Sequence, residues 1–119
     1  MPTTRTSRAT TGARLLAIVL AVVMVIYFAT SNAIRSGNPF LVPDLVLTLL
    51  LVGAAAVRGR LAAPAMIFAF GWAAAVWTVS LSTYITRGAF VDGANHIALI
   101  VPSVVAAGLL ATRTGRSTV

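Results

Sequence analysis

The sequence predicts an all-α membrane protein: an antiparallel bundle of four transmembrane helices with both termini cytoplasmic. Three observations carry that prediction. Hydrophobic residues make up 59% of the 119 and charged residues 9%, against about 45–50% and 25% in soluble domains. Four apolar runs approach or exceed the roughly 18 residues needed to cross about 30 Å of hydrocarbon, leaving some 47 positions for tails and loops. The nine basic residues are all Arg, and seven of them fall on one side of those runs. These are Arg5, Arg8, Arg14, Arg58, Arg60, Arg113 and Arg116, while Arg35 and Arg87 fall on the other side with Asp44 and Asp92, so the positive-inside rule sets the orientation. Lipid offers no backbone partners, and evenly apolar runs lack the alternation of barrel strands, so the spans are helices.

Residues 1–14 are rich in Thr, Ser and Arg, with nothing to bury. They read as a disordered cytoplasmic tail that sets topology or touches anionic lipid. The first helix, about 15–33, is built on the uncharged run Leu15–Ala29. Its Leu, Ile and Val on nearly every face suit lipid contact, which makes it peripheral. The same segment fits a secretory signal, with Ser31-Asn32-Ala33 as the small-residue site, and cleavage there would leave three spans. Both readings stand at this stage.

The second helix, about 41–57, has Pro43 at its first position and Asp44 next, a helix start with an acid at the positive end of the dipole. A short link around Arg58 and Arg60 makes a tight antiparallel hairpin with the third helix, about 61–85. That helix carries Ala65, Ala69, Gly71, Ala73 and Ala75. Gly71 and Ala75 form a small-xxx-small packing pair, which places it at the bundle centre. Pro64 falls in its first turn. Thr78, Ser80, Ser82 and Thr83 crowd its outer end, where hydroxyls bond neighbouring helices or their own carbonyls. Trp77 and Tyr84 read as outer-interface anchors, and Trp72 lies near mid-span. The fourth helix, about 94–112, has Pro102 at mid-span, where a kink is expected with Ser103 to compensate. The whole transmembrane domain is 15–112, and 113–119 is a second cytoplasmic tail.

Chemistry is scarce. There is no Cys and no Glu, and the acids are Asp44 and Asp92 alone. No metal site, nucleophile motif, P-loop or cofactor is expected, and the chain reads as non-enzymatic. The scattered arginines form no nucleic-acid face. The candidate polar site is the outer end, where Arg35, Asn38, Asp44, Arg87, Asp92, Asn95 and His96 collect. Asp44 lies a turn into an apolar run, where ionisable groups are costly, so it is either functional or a helix-start residue. Its expected ion-pair partner is Arg87 or Arg35. Asp92, followed by Gly93 and Ala94, reads as the N-cap of the fourth helix. His96 in the first turn reads as an interfacial residue, with protonation sensing left open.

In length and span count the chain resembles the small multidrug resistance exporters, whose coupling carboxylate lies mid-way along the first helix. Leu15–Ala29 contains no acid, which speaks against that mechanism. GNPFLVPDLVL and SLSTYITRG resemble small four-helix integral membrane proteins of high-GC Gram-positive bacteria that have no assigned function. The resemblance implies an architecture and no activity. Abundant packing surface beside almost no chemistry instead points to one function, with a second as its alternative. The first is an accessory or structural subunit of the cell membrane, joined through Ala/Gly helix faces to a second copy or a larger membrane protein. The alternative is a small transporter or lipid/solute-binding protein with an outward-facing site around Asp44, Arg87 and His96. In both, the lipid bilayer is the first partner.

Overall fold

The computed structural model describes residues 3–30 and 39–117, with side chains for 8–30 and 39–112. The described residues form five helices and no strand: α1 (Thr3–Thr30), α2 (Leu41–Ala56), α3 (Ala62–Thr86), the single turn α4 (Phe90–Gly93) and α5 (Asn95–Ser117). A 3-10 turn, Gly59–Leu61, joins α2 to α3. The expected signal site at Ser31-Asn32-Ala33, the end of the first span, Arg35 and Asn38 lie outside the described residues.

Local sequence explains the boundaries. α2 begins one turn before Asp44, whose N–H bonds the Phe40 carbonyl at 2.9 Å. Pro43 is therefore the third helical residue and not the first, a position whose N–H would have no intrahelical partner anyway. α3 ends in a Schellman turn: Gly88 N–H bonds Ile85 O at 3.0 Å and Ala89 N–H bonds Tyr84 O at 2.8 Å. Gly88 takes φ +70° there, a left-handed conformation that only glycine adopts at little cost. α5 runs unbroken through Pro102, and the buried Ser103 hydroxyl donates to Leu99 O at 2.8 Å. α1 begins at Thr3 and α5 runs to Ser117, so residues 3–14 are helical where a disordered tail was expected. Adding residues to an established helix gains a bond per residue without a new nucleus, and Ala and Arg favour it.

The helices pack in the order α1, α2, α3, α5 and back to α1, with α1 and α3 also meeting across the middle. α1 and α3 thus each touch every other long helix, but α3 shares the most extensive contact with its neighbours, chiefly with α5, and α1 the least. The core is one cluster in which Leu47, Leu51, Met66, Phe70 and Ala73 are fully buried. α1 presents most of its Leu, Ile and Val outward, yet its few alanines align. Ala13, Ala17 and Ala21, with Leu20 and Met24, form the buried face, at the i, i+4 spacing of one helix side.

Two packing expectations are corrected. Gly71 and Ala75 are exposed, and a Cβ at Gly71 would meet nothing within 4 Å, so the pair makes no helix contact within the chain. Ala62, Ala69, Ala73 and Ala74 are the small residues of α3 that the bundle buries. The tryptophans also exchange roles: Trp77 is 2% exposed, whereas Trp72 is 38% exposed beside Phe68.

Arg14 ties α1 to the end of α2. Its Nε donates to Ala55 O and its Nη2 to Val57 O, both at 2.8 Å, satisfying carbonyls left over at the helix terminus and placing a cation at the negative end of its dipole. The outer surface is apolar along the bundle, with Val19, Val25, Leu49, Phe68, Val79 and Val104 all more than half exposed. Exposed apolar side chains in this number are the mark of a membrane or interaction surface. Three segments, Arg8–Thr30, Gly59–Thr86 and Asn95–Thr112, are long and apolar enough to cross a membrane. α2 is apolar but shorter, 16 residues or about 24 Å of rise.

Candidate functional site

At the end of the bundle where α1 and α3 finish and α2 and α5 begin lies a cavity of about 780 Å3. α1 supplies Val23, Met24 and Tyr27, and the start of α2 supplies Pro39, Phe40 and Asp44. α3 adds Trp77, Ser80, Ser82, Thr83, Tyr84, Thr86 and Arg87, and the α4–α5 segment adds Asp92, Asn95, His96 and Leu99. The volume is that of a small-molecule site, and the lining is about half polar, with hydroxyls of α3 and the charged groups beside the apolar side chains Val23, Met24 and Leu99.

Of the residues singled out in the sequence, Asp44, Arg87, Asp92 and His96 therefore meet in one place, and Asn95 joins them. Asp44 is the most enclosed, at 7% exposure. Among the described residues its carboxylate has neither an ion pair nor a side-chain hydrogen bond, and no fully buried polar atom lacks a partner. The carboxylate oxygens thus face the open volume of the cavity. The expected pairing with Arg87 is not made. Arg87 instead donates from Nε to Thr83 O at 3.3 Å and lies over the Tyr84 ring at 4.7 Å. Both partners come from its own helix, within one turn, so the guanidinium is satisfied before it reaches across the bundle.

Asp92 is exposed in the single turn of α4, with no side-chain cap bond there. It is not the N-cap of the last helix, because a preceding turn starts at Phe90 and α5 itself begins at Asn95. His96 does stand in the first turn of α5. Its Nδ1 lies 2.9 Å from Gly93 O and donates to it, since a carbonyl only accepts. Its ring packs on Tyr84 with centroids 5.6 Å apart. No cluster of potential metal ligands occurs among the described residues. The threonines of the outer end turn back onto their own helix, Thr78 to Ala74 O at 2.6 Å and Thr83 to Ser80 O at 2.7 Å, and make no bond between helices.

Two residues that organise the site carry little signal in the sequence. Tyr84 is the hub, touching Arg87 and His96. Gly93 is buried directly against it: a Cβ there would stand 2.5, 2.6 and 2.7 Å from Tyr84 Cγ, Cδ2 and Cβ. The only sequence cue to Gly93 was its place after Asp92, which suggested a helix start and not a close approach.

Comparison with protein families, characterised proteins and solved structures finds no match to this chain.

Proposed function

We propose that the chain is a four-span integral protein of the cell membrane, both termini cytoplasmic, that binds a solute or lipid without catalysis in the outward-facing cavity. The observation that carries this is convergence. Asp44, Arg87, Asp92, Asn95 and His96 line one cavity together with Val23, Met24 and Leu99, and the buried Asp44 carboxylate opens into it. Ionisable groups at membrane depth mark ligand or ion sites by default. Native mass spectrometry of the protein released gently from its own membrane tests the reading. A reproducible small molecule or lipid on the monomer or homo-oligomer is expected, and a ligand-free chain refutes it.

A second reading, an accessory subunit, is supported by the outward placement of Gly71 and Ala75. Small residues on a lipid-facing surface permit close approach of another helix. In the same experiment, a stable complex with a different membrane protein would favour this reading. It would then require Gly71→Leu to dissolve that complex.

For topology, the arginines at one end and the cavity at the other are expected on opposite faces of the membrane. Arg60→Cys and Val91→Cys, both at exposed positions, should label with an impermeant maleimide from the cytoplasmic and external sides respectively. Labelling of both from one side refutes the four-span arrangement.

A further inference from the structure

At the end of the bundle away from the cavity, and resting only on the four-span reading above, we infer a binding surface for an anionic phospholipid. Its phosphate is held between Arg14 and the α2–α3 link, and its acyl chains lie along α1 and α3. Seven of the nine arginines fall at the end where α1 begins, α2 meets α3 and α5 finishes. The sequence has no Glu, and its two acids, Asp44 and Asp92, line the cavity at the opposite end. No acidic side chain shares the arginine end, so the counter-charge comes from outside the chain. Anionic headgroups of the bilayer surface supply it.

Positive charge at a cytoplasmic end is ordinary in membrane proteins, but here the arginines are placed in register with an apolar surface. Arg14 Nε and Nη2 donate to Ala55 O and Val57 O, and Val57 immediately precedes Arg58. The guanidinium of α1 is thereby fixed beside the link. Neither carbonyl takes Nη1, which is left to donate to a phosphate oxygen, a group that arginine recognises through its planar fork. Arg58 and Arg60 are both exposed and flank Gly59, whose φ of +77° folds the link tightly. Like charges gathered at one junction repel, and an anion there relieves the repulsion. The step from charge to apolar surface is level on both helices. Leu15, 60% exposed, follows Arg14, and Leu61, 64% exposed, follows Arg60, while the Arg14 bonds hold the two steps side by side. Cations on one side of that line and exposed leucines on the other fit an amphiphile. A nucleic acid or an acidic protein segment would use the arginines and leave the leucines uncovered.

The test is native mass spectrometry of the intact chain in mild detergent, titrated with phosphatidylglycerol or with phosphatidylcholine of the same acyl chains. Phosphatidylglycerol is expected to bind about 10-fold more tightly. Arg58→Gln with Arg60→Gln should cut that preference to about 2-fold or less, with near-native melting because both side chains are exposed. Arg87→Gln, at the cavity, should leave the preference intact. If the double variant does not fold, either single substitution should remove about 3-fold of it. Glycerol phosphate, a headgroup without chains, should bind about 100-fold more weakly than the lipid. Equal binding of the two lipids overturns the inference. So does a preference that Arg87→Gln abolishes and the double variant spares, which places the lipid in the cavity. Glycerol phosphate or a single-stranded oligonucleotide binding as tightly as phosphatidylglycerol also overturns it, in favour of a general anion or nucleic-acid surface. The titration needs no bilayer, so its failure leaves the four-span arrangement standing. That arrangement fails separately, if Arg60→Cys and Val91→Cys label from one side.

Discussion

Arg14→Ala is expected to cost about 2–4 kcal/mol of bundle stability, the larger part of two charge-assisted hydrogen bonds and a favourable dipole contact. The side chain reaches from α1 to Ala55 O and Val57 O at the end of α2, so its loss leaves those helix-end carbonyls without a donor. It also releases the α1 face formed by Ala13 and Ala17, whose alanines contribute little contact area of their own. Arg14→Lys should recover only part of the loss, because a single ammonium cannot reproduce a planar fork on two carbonyls. The measurement is unfolding in mixed micelles titrated with a denaturing detergent. Arg8→Ala is the control. It removes the same charge from an exposed position of the same helix. A purely topological role for Arg14 predicts equal effects of the two substitutions. A cap predicts that Arg8→Ala stays within ~0.5 kcal/mol of wild type.

The all-helical architecture was legible because an uncharged run such as Leu15–Ala29 is too long and too evenly apolar to read as a strand. Which face of each helix turns inward was not. In a soluble helix polar residues mark the outside, but here both faces are apolar, and the periodicity that would separate Trp72 from Trp77 is lost. What distinguishes the faces is size: Ala13, Ala17 and Ala21 are buried while Val19, Val22 and Val25 are not. Small residues are a weaker cue than polarity, as Gly71 and Ala75 show by facing outward. The candidate site was legible in outline, since Asp44, Arg87, Asp92 and His96 all fall near helix ends on one side. Their pairing was not. Arg87 finds Thr83 O and the Tyr84 ring one turn back along α3, and a local partner of this kind costs less ordering than one across a cavity.

Gly93→Ala tests whether the α3–α4 approach holds the site together, and the expected result is a loss out of proportion to one methyl group. The added Cβ would lie within 2.7 Å of Tyr84 Cβ, Cγ and Cδ2, atoms at the root of the side chain that no rotation about its outer bonds can withdraw. The backbones of α3 and α4 must separate, at about 1–3 kcal/mol for overpacking of this kind. Because His96 bonds to Gly93 O and packs on Tyr84, that separation also moves the wall of the cavity, although no charge has changed. Gly108→Ala supplies the opposite sign. Gly108 is exposed within α5 and its Cβ would meet nothing within 4 Å, so the substitution should stabilise by about 0.5–1 kcal/mol through helix propensity alone. A Gly93→Ala, Tyr84→Gly double variant isolates the contact, because Tyr84 Cβ is one of the three atoms approached and alanine would keep it. If the clash is the cause, Gly93→Ala adds almost nothing once the whole Tyr84 side chain is gone. If Gly93 matters instead for its backbone conformation, the two effects add and the approach to Tyr84 is incidental.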